Sequence, residues 1–224
     1  QLVQVMGEVY HRPLYQRLLR EMYRRGAGFV HVELADPLLQ RIRIQESREQ
    51  FLRSVPAFYS AKFREIVDTE AANLKVLGPE FPAYLADLAP GPVNEVRKAA
   101  YQAAKYFYNE GIERSKVHWC VVAAATPGWA ARLFPNSSPH EAEARLWEEI
   151  FRICRVDTPD FLERWERHNG VLHTRAKRLS ELGIRELRFE GPGTDLVVGL
   201  SDRAMFKGGS DSSPKGHSFE PNLP

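Results

Sequence analysis

The chain has 224 residues, 43% of them hydrophobic and 27% charged, with 31 Lys and Arg against 29 Asp and Glu. That is enough apolar material for one or two domains with a real core, and a formal net charge of +2 gives no basis for a nucleic-acid or anionic-membrane partner. No stretch is long and apolar enough to span a bilayer, no signal-peptide pattern is present, and Cys120 and Cys154 sit in apolar runs that read as buried free thiols of a reducing, cytoplasmic compartment.

Leu2–Met6 reads as a strand. A helix over Pro13–Arg25 follows, with Leu14, Leu18, Leu19 and Met22 on one face, and Gly26 and Gly28 end it. Its Arg17, Arg20, Arg24 and Arg25 read as a solvated face. Phe29–Leu34 is a second strand. Asp36-Pro37 has the form of an N-cap followed by proline at the first helical position, opening a helix over Pro37–Ile44. Ser47 caps a short helix to Gln50, Pro56 breaks it, and Ala57–Thr69 is helical. Asn73–Leu77 is a third strand, a short helix covers Ala83–Leu88, Pro90-Gly91-Pro92 is a turn, and Asn94–Asn109 is a long helix. Val117–Ala123 is a continuous apolar strand of the kind buried on both faces of a parallel sheet.

This alternation predicts an α/β fold: an open, mostly parallel sheet with flanking helices. In such sheets ligands sit at the carboxyl ends of the strands. The chain nevertheless has no Gly-x-Gly-x-x-Gly and no Gly-x-x-x-x-Gly-Lys-Ser/Thr, so the dinucleotide and P-loop fingerprints are missing. Residues 140–182 read as helical, with Asp157-Thr158-Pro159 capping the second of two helices. From Ile184 the apolar period becomes two, and Gly191-Pro192-Gly193-Thr194 separates the halves of an antiparallel hairpin. Past Asp202 the chain is rich in Gly, Ser and Pro. The expected organisation is a Rossmann-like α/β domain over 1–136, a helical segment over 137–182 and a small antiparallel β region over 183–224.

Residues suited to catalysis are sparse. The histidines are His11, His31, His118, His140, His168, His173 and His217. No His-Glu-x-x-His occurs. His31 and His118 fall in strands and read as core histidines. His168 and His173 are about 140° apart on a helix. The local set His217, Asp211 and Glu220 is the one combination worth testing for a metal, against a solvated-tail reading. Glu148 and Glu149 are adjacent and point apart. No Gly-x-Ser-x-Gly elbow is present, and neither cysteine has an electropositive setting. These residues assign no catalytic, cofactor-binding or metal-binding role within the chain.

Four segments in order are similar to the aminopeptidase T/aminopeptidase S family of metallopeptidases: His118–Ala130 (HWCVVAAATPGWA), Leu146–Phe151 (LWEEIF), Gly191–Leu200 (GPGTDLVVGL) and the closing Gly216–Pro224 (GHSFEPNLP). The resemblance implies an exopeptidase that removes N-terminal amino acids from peptides with two divalent metal ions, zinc or cobalt. It also implies that the ligands, beginning with a glutamate just past the closing motif, belong to a C-terminal catalytic domain beyond this chain. The chain would then be a non-catalytic N-terminal region shaping access to that site. Its expected partners are peptide substrates, the catalytic domain and a second copy in a homodimer. The alternative is a stand-alone α/β binding or interaction module.

Overall fold

The computed structural model describes residues 1–221; Asn222, Leu223 and Pro224, the end of the closing motif, lie outside the described residues. There are two compact units, one of Gln1–Cys154 with Ser212–Pro224 and one of Arg155–Asp211.

The first unit is built on four strands, β1 (Leu2–Glu8), β2 (Phe29–Ala35), β3 (Ala72–Leu77) and β4 (Trp119–Ala123), in the order β2-β1-β3-β4 and all parallel. This is the open α/β sheet that the alternation of strands and helices predicts. Its helices are α1 (Arg12–Arg24), α2 (Pro37–Glu46), α3 (Glu49–Leu52), α4 (Ala57–Asp68), α5 (Pro90–Ala103), α6 (Pro127–Leu133) and α7 (Pro139–Ile153). The register aligns Val3 and Val5 with Val30 and Val32 and with Ala72 and Leu74 on one face of the sheet. That face is the apolar core, covered by Tyr15, Leu14 and Leu18 of α1 and by Trp147 of α7.

The opposite face differs. It carries Gln4, Met6, Glu33, Asn73, Lys75, Trp119 and Val121 in register. Parallel strands are normally apolar on both sides because helices cover both, so a polar face in the middle of this sheet is out of pattern. The helices between β2 and β4 make their own small cores, Ile66, Val67, Phe107 and Val117 in one and Ile44, Leu52, Val93 and Val96 in the other.

Several local expectations need correction. Residues 83–88 form successive i→i+3 turns rather than a helix, with Tyr84 N–H donating to Phe81 O, Ala86 to Ala83 and Leu88 to Leu85. Pro90-Gly91-Pro92 is the first turn of α5 rather than a loop. The first N–H groups of a helix have no intrahelical acceptor, so prolines there forfeit nothing. That helix also stops early. From Phe107 to Ile112 the chain makes a π-helical turn, closed by Glu113 N–H donating to Tyr108 O. His31 is exposed and His118 half-buried, so neither is a core histidine, and Cys120 is half-buried while Cys154 is buried. β2 and β4 are edge strands, and an edge position leaves side chains open that a central strand would cover.

The expected cap at Asp36 is present, its carboxylate accepting from Leu38 N–H. Ser138 opens α7 with a full capping box to Glu141.

The second unit contains α8 (Phe161–Glu181), which opens at Asp160 without a side-chain cap rather than at Asp157-Thr158-Pro159, and the hairpin of β5 (Glu186–Gly191) with β6 (Thr194–Gly199). Gly193 at φ +73° supplies the left-handed position the tight turn demands. A short pair, β7 (Asp211–Ser212) and β8 (Ser218–Phe219), follows. Beyond it Val121 N–H on the outer edge of β4 donates to Pro221 O at 2.9 Å.

Candidate functional site

β1 lies between β2 and β3, and the chain crosses from β2 past β1 to β3, so the carboxyl ends of β1 and β3 mark the point where the strand order reverses. Open parallel sheets present ligand-binding loops there. Three loops meet at this end of the sheet. β1 ends in Glu8, β3 runs into Gly78-Pro79-Glu80, and β4 runs into Ala124-Ala125-Thr126 and then α6. Glu8 Oε2 accepts from Glu80 N–H at 3.2 Å, and Glu80 Oε2 accepts from Gly128 N–H at 3.0 Å. Thr126 Oγ1 donates to Pro79 O at 2.9 Å and accepts from Trp129 N–H at 3.3 Å, capping α6.

The approach is close enough that only glycine fits at two positions. A Cβ at Gly78 would sit 1.9 Å from Ala124 O, and one at Gly128 would sit 1.8 Å from Glu80 O.

Beneath the loops His11 is 3% exposed. Its Nε2 lies 3.3 Å from Ala124 O; a carbonyl only accepts, which places the ring proton on Nε2. Tyr15 OH donates to Glu8 O at 2.8 Å.

The rim of this end is electronegative. Burial, with the neighbouring Glu80 and Asp36 carboxylates, pushes the Glu8 carboxyl above its usual range, although the Glu80 N–H pulls the other way. Desolvation, then Asp36, Glu80 and Glu8, raise the Tyr10 phenol. Alongside is an open cavity of about 450 Å³ bordered by Arg41, Glu80, Tyr84, Gly128 and Arg132. Arg41 is not free to neutralise the rim, because its guanidinium grips Asp87 through two 2.6 Å hydrogen bonds. Those bonds hold Asp87 down to about 2. Arg132 also borders the cavity, but against the three carboxylates Glu8, Asp36 and Glu80 it leaves the rim net acidic, able to attract a cationic group. The rim holds no nucleophile paired with a base.

His11 makes stability depend on pH. Burial lowers its pKa in the folded protein, so the unfolded chain takes up the proton first, near its ordinary value of about 6.5. Stability is therefore expected to fall as pH drops from about 7.5 through 6.5 and on to the lower folded value. Glu8, whose folded pKa is raised, acts in the opposite sense at lower pH, as carboxylates begin to protonate. Urea midpoints at pH 7.5 and 5.5 should differ in the wild type, and His11→Asn should flatten that difference; an equal drop in both proteins would remove His11 as the cause.

Two histidines meet elsewhere in the first unit. His118 stacks on His217, with ring centroids 5.6 Å apart, and on Phe219 at 5.5 Å. Burial, followed by His217, lowers the His118 pKa. His173 Nε2 lies 3.0 Å from Ser210 O, and His140 is exposed. Asp211 has Lys207 at 3.9 Å. Among the described residues no three His, Cys, Asp or Glu side chains come together as a metal-holding group, so His217, Asp211 and Glu220 do not form one. Glu8 and Glu80 were not singled out by the sequence reading, though the strand-end rule applied to residues closing β1 and following β3 would have found them.

A profile of the thermophilic metalloprotease (M29) family matches residues 1–224. Aminopeptidase T of Thermus thermophilus is 37% identical over 211 residues, which is 94% of this chain and 51% of that protein. Aminopeptidase PepS of Streptococcus thermophilus is 32% identical over 218 residues, 97% of this chain and 52% of its own length. The solved structure of wild-type AmpT from Thermus thermophilus superposes with a TM-score of 0.83 at 34% identity, covering 100% of this chain and 54% of that one. The chain thus spans about half the length of the curated relatives it matches.

Proposed function

The chain belongs to the thermophilic metalloprotease (M29) family, and from that premise we propose that it is the N-terminal part of a metal-dependent aminopeptidase. In this reading it shapes access to a two-metal site of zinc or cobalt whose ligands lie in the rest of the protein. The observation that carries it is the match of this chain, along nearly all its length, to aminopeptidases about twice as long.

The electronegative rim of Glu8, Asp36 and Glu80 complements the free ammonium group of a peptide, which would be drawn toward it by the local field. Peptide substrates, the catalytic domain and a second copy of the chain are the partners this role calls for. Cys120 and Cys154 form no disulfide, which suits a reducing cytoplasm, and no helix of the described residues is long and apolar enough to cross a membrane.

A second reading, a stand-alone binding module, has one observation in its favour. The segment that would lead toward a further domain is paired within this chain, Pro221 O accepting from Val121 N–H on the β4 edge.

Hydrolysis of a leucine chromogenic amide separates the two. It should be assayed with this chain and with the longer protein proposed to contain it, each with Co²⁺ or Zn²⁺. Activity in the longer protein alone is the expected result. Metal-dependent turnover by this chain would overturn the placement of the metals and return attention to His217, Asp211 and Glu220. Silence in both would favour the binding module.

A further inference from the structure

The out-of-pattern polar face of the sheet floors a cavity of about 510 Å³, within the 300–1,000 Å³ range of small-molecule sites. Its walls are aromatic, with Tyr59 and Phe63 from α4, Tyr101 from α5, and Phe107 and Tyr108 from the π-helical turn. Tyr101 and Tyr108 stack on each other at 5.2 Å and an interplanar angle of 20°, presenting a flat apolar side. The π turn is part of the device. Such turns occur disproportionately at functional sites, and this one places Phe107 and Tyr108 on the cavity wall.

One polar atom of this lining is buried without a partner, and two exposed cations beside it are not in ion pairs among the described residues. Asn73 is 6% exposed, and its Oδ1 has no hydrogen-bond partner, although its Nδ2 donates to Ala71 O at 3.2 Å. A buried acceptor left without a donor is costly and calls for an explanation. Lys75 and Arg97 also line the cavity, and neither forms an ion pair among the described residues. The nearest acid on that sheet face is already engaged, since Glu33 accepts from Lys62 at 2.5 Å and from Gln4 at 3.3 Å. The site therefore offers two cations to an anion and aromatic walls to an apolar body, and behind its lining lies one acceptor, Asn73 Oδ1, that lacks a donor.

We propose that this cavity binds a free α-amino acid with an aromatic or large apolar side chain. Its carboxylate would meet Lys75 and Arg97, its side chain the tyrosines, and its ammonium group Asn73 Oδ1 once that side chain turns toward the cavity. A nucleotide fits less well, because neither a glycine-rich cradle nor a P-loop lines the cavity. The inference stands on the cavity alone and does not depend on the peptidase reading.

The test is calorimetric titration of this chain with L-phenylalanine, hydrocinnamate (no ammonium group) and phenethylamine (no carboxylate), with amide NMR shifts to locate binding. Phenylalanine is expected to bind saturably and shift Met6, Asn73 and Tyr101. Each truncated probe should bind about tenfold more weakly or worse, as expected for loss of a charge-assisted hydrogen bond. Lys75→Met with Arg97→Leu should weaken phenylalanine about tenfold or more and erase its advantage over phenethylamine. Both replaced side chains are exposed, so the thermal melt should be unchanged, and the comparison of probes needs no variant. Three results would overturn the proposal: no saturable binding of phenylalanine up to about 10 mM, equal binding of hydrocinnamate, or undiminished binding by the double variant.

Discussion

Gly78→Ala is expected to destabilise the first unit by about 3 kcal/mol, at the upper end of overpacking substitutions. The added Cβ would lie 1.9 Å from Ala124 O, 3.0 Å from Ala124 C and 2.7 Å from His11 Nε2. Two of those atoms are backbone, so no side-chain rotation relieves the clash. The loops after β3 and β4 would have to part, and Thr126–Pro79 and Gly128–Glu80 would stretch with them. Gly128→Ala should cost a similar amount, because its Cβ would sit 1.8 Å from Glu80 O and 2.8 Å from Glu80 C. Gly28→Ala is the matched control: its nearest atoms are 3.6 and 3.7 Å away on Gln1, an ordinary contact, and it should stay within about 0.5 kcal/mol of wild type. For a protein of this size, 3 kcal/mol corresponds to a drop of about 10 °C in Tm. Fluorescence can follow it, since Trp119, Trp129 and Trp147 report on the first unit and Trp165 on the second. A Gly78→Ala protein that melts with Gly28→Ala would show that the two loops are not as close as described.

Leu146→Ala should cost about 3 kcal/mol, in the middle of the measured range for such truncations. The small core beneath α6 and α7 consists of Ala125, Ala130, Ala142, Leu146, Ile150 and Cys154. Half of those residues are alanines, which are too short to fill the space that Leu146 vacates, so the cavity persists and adds to the lost transfer energy. Leu146→Met conserves volume and should cost less than about 1.5 kcal/mol. Denaturant midpoints at unchanged slope would check both; near-equal losses for Ala and Met would mean that the site tolerates any shape.

Both effects bear on the loops that carry Glu8, Glu80 and Gly128, so both variants also bear on the electronegative rim. In the longer aminopeptidase proposed to contain this chain, loosening the rim would show as a rise in KM for peptides with a free amino terminus.

How much of this could be read in advance differs from element to element. The four strands of the main sheet and the later hairpin follow from runs such as Phe29–Leu34 and Val117–Ala123 and from the switch to period two after Ile184. Strand propensity and alternation are local properties of neighbouring residues. The caps at Asp36 and the turn at Gly193 were equally legible, because a cap or a turn is decided within four residues. The four segments shared with the aminopeptidase T/S family placed the chain in its family, since order and spacing survive where structure is unseen.

Other features could not be read. The helix was drawn through Asn109 because helical periodicity does not register a π turn, which Phe107 packing against Phe63 at 5.5 Å accompanies. The first turn of α5 was read as a loop because Pro-Gly-Pro breaks helices everywhere except where N–H groups are already unpaired. Burial of His31, His118 and Cys120 was misjudged because an apolar run does not say whether its strand is central or at an edge. That is fixed by the order β2-β1-β3-β4, a property of the whole sheet. Family and strand content thus came from residues near one another in the chain. The meeting of Glu8 with Glu80 and Gly128, and of Asn73 with Lys75 and Arg97, came from crossovers that join positions dozens of residues apart, which local chemistry cannot specify.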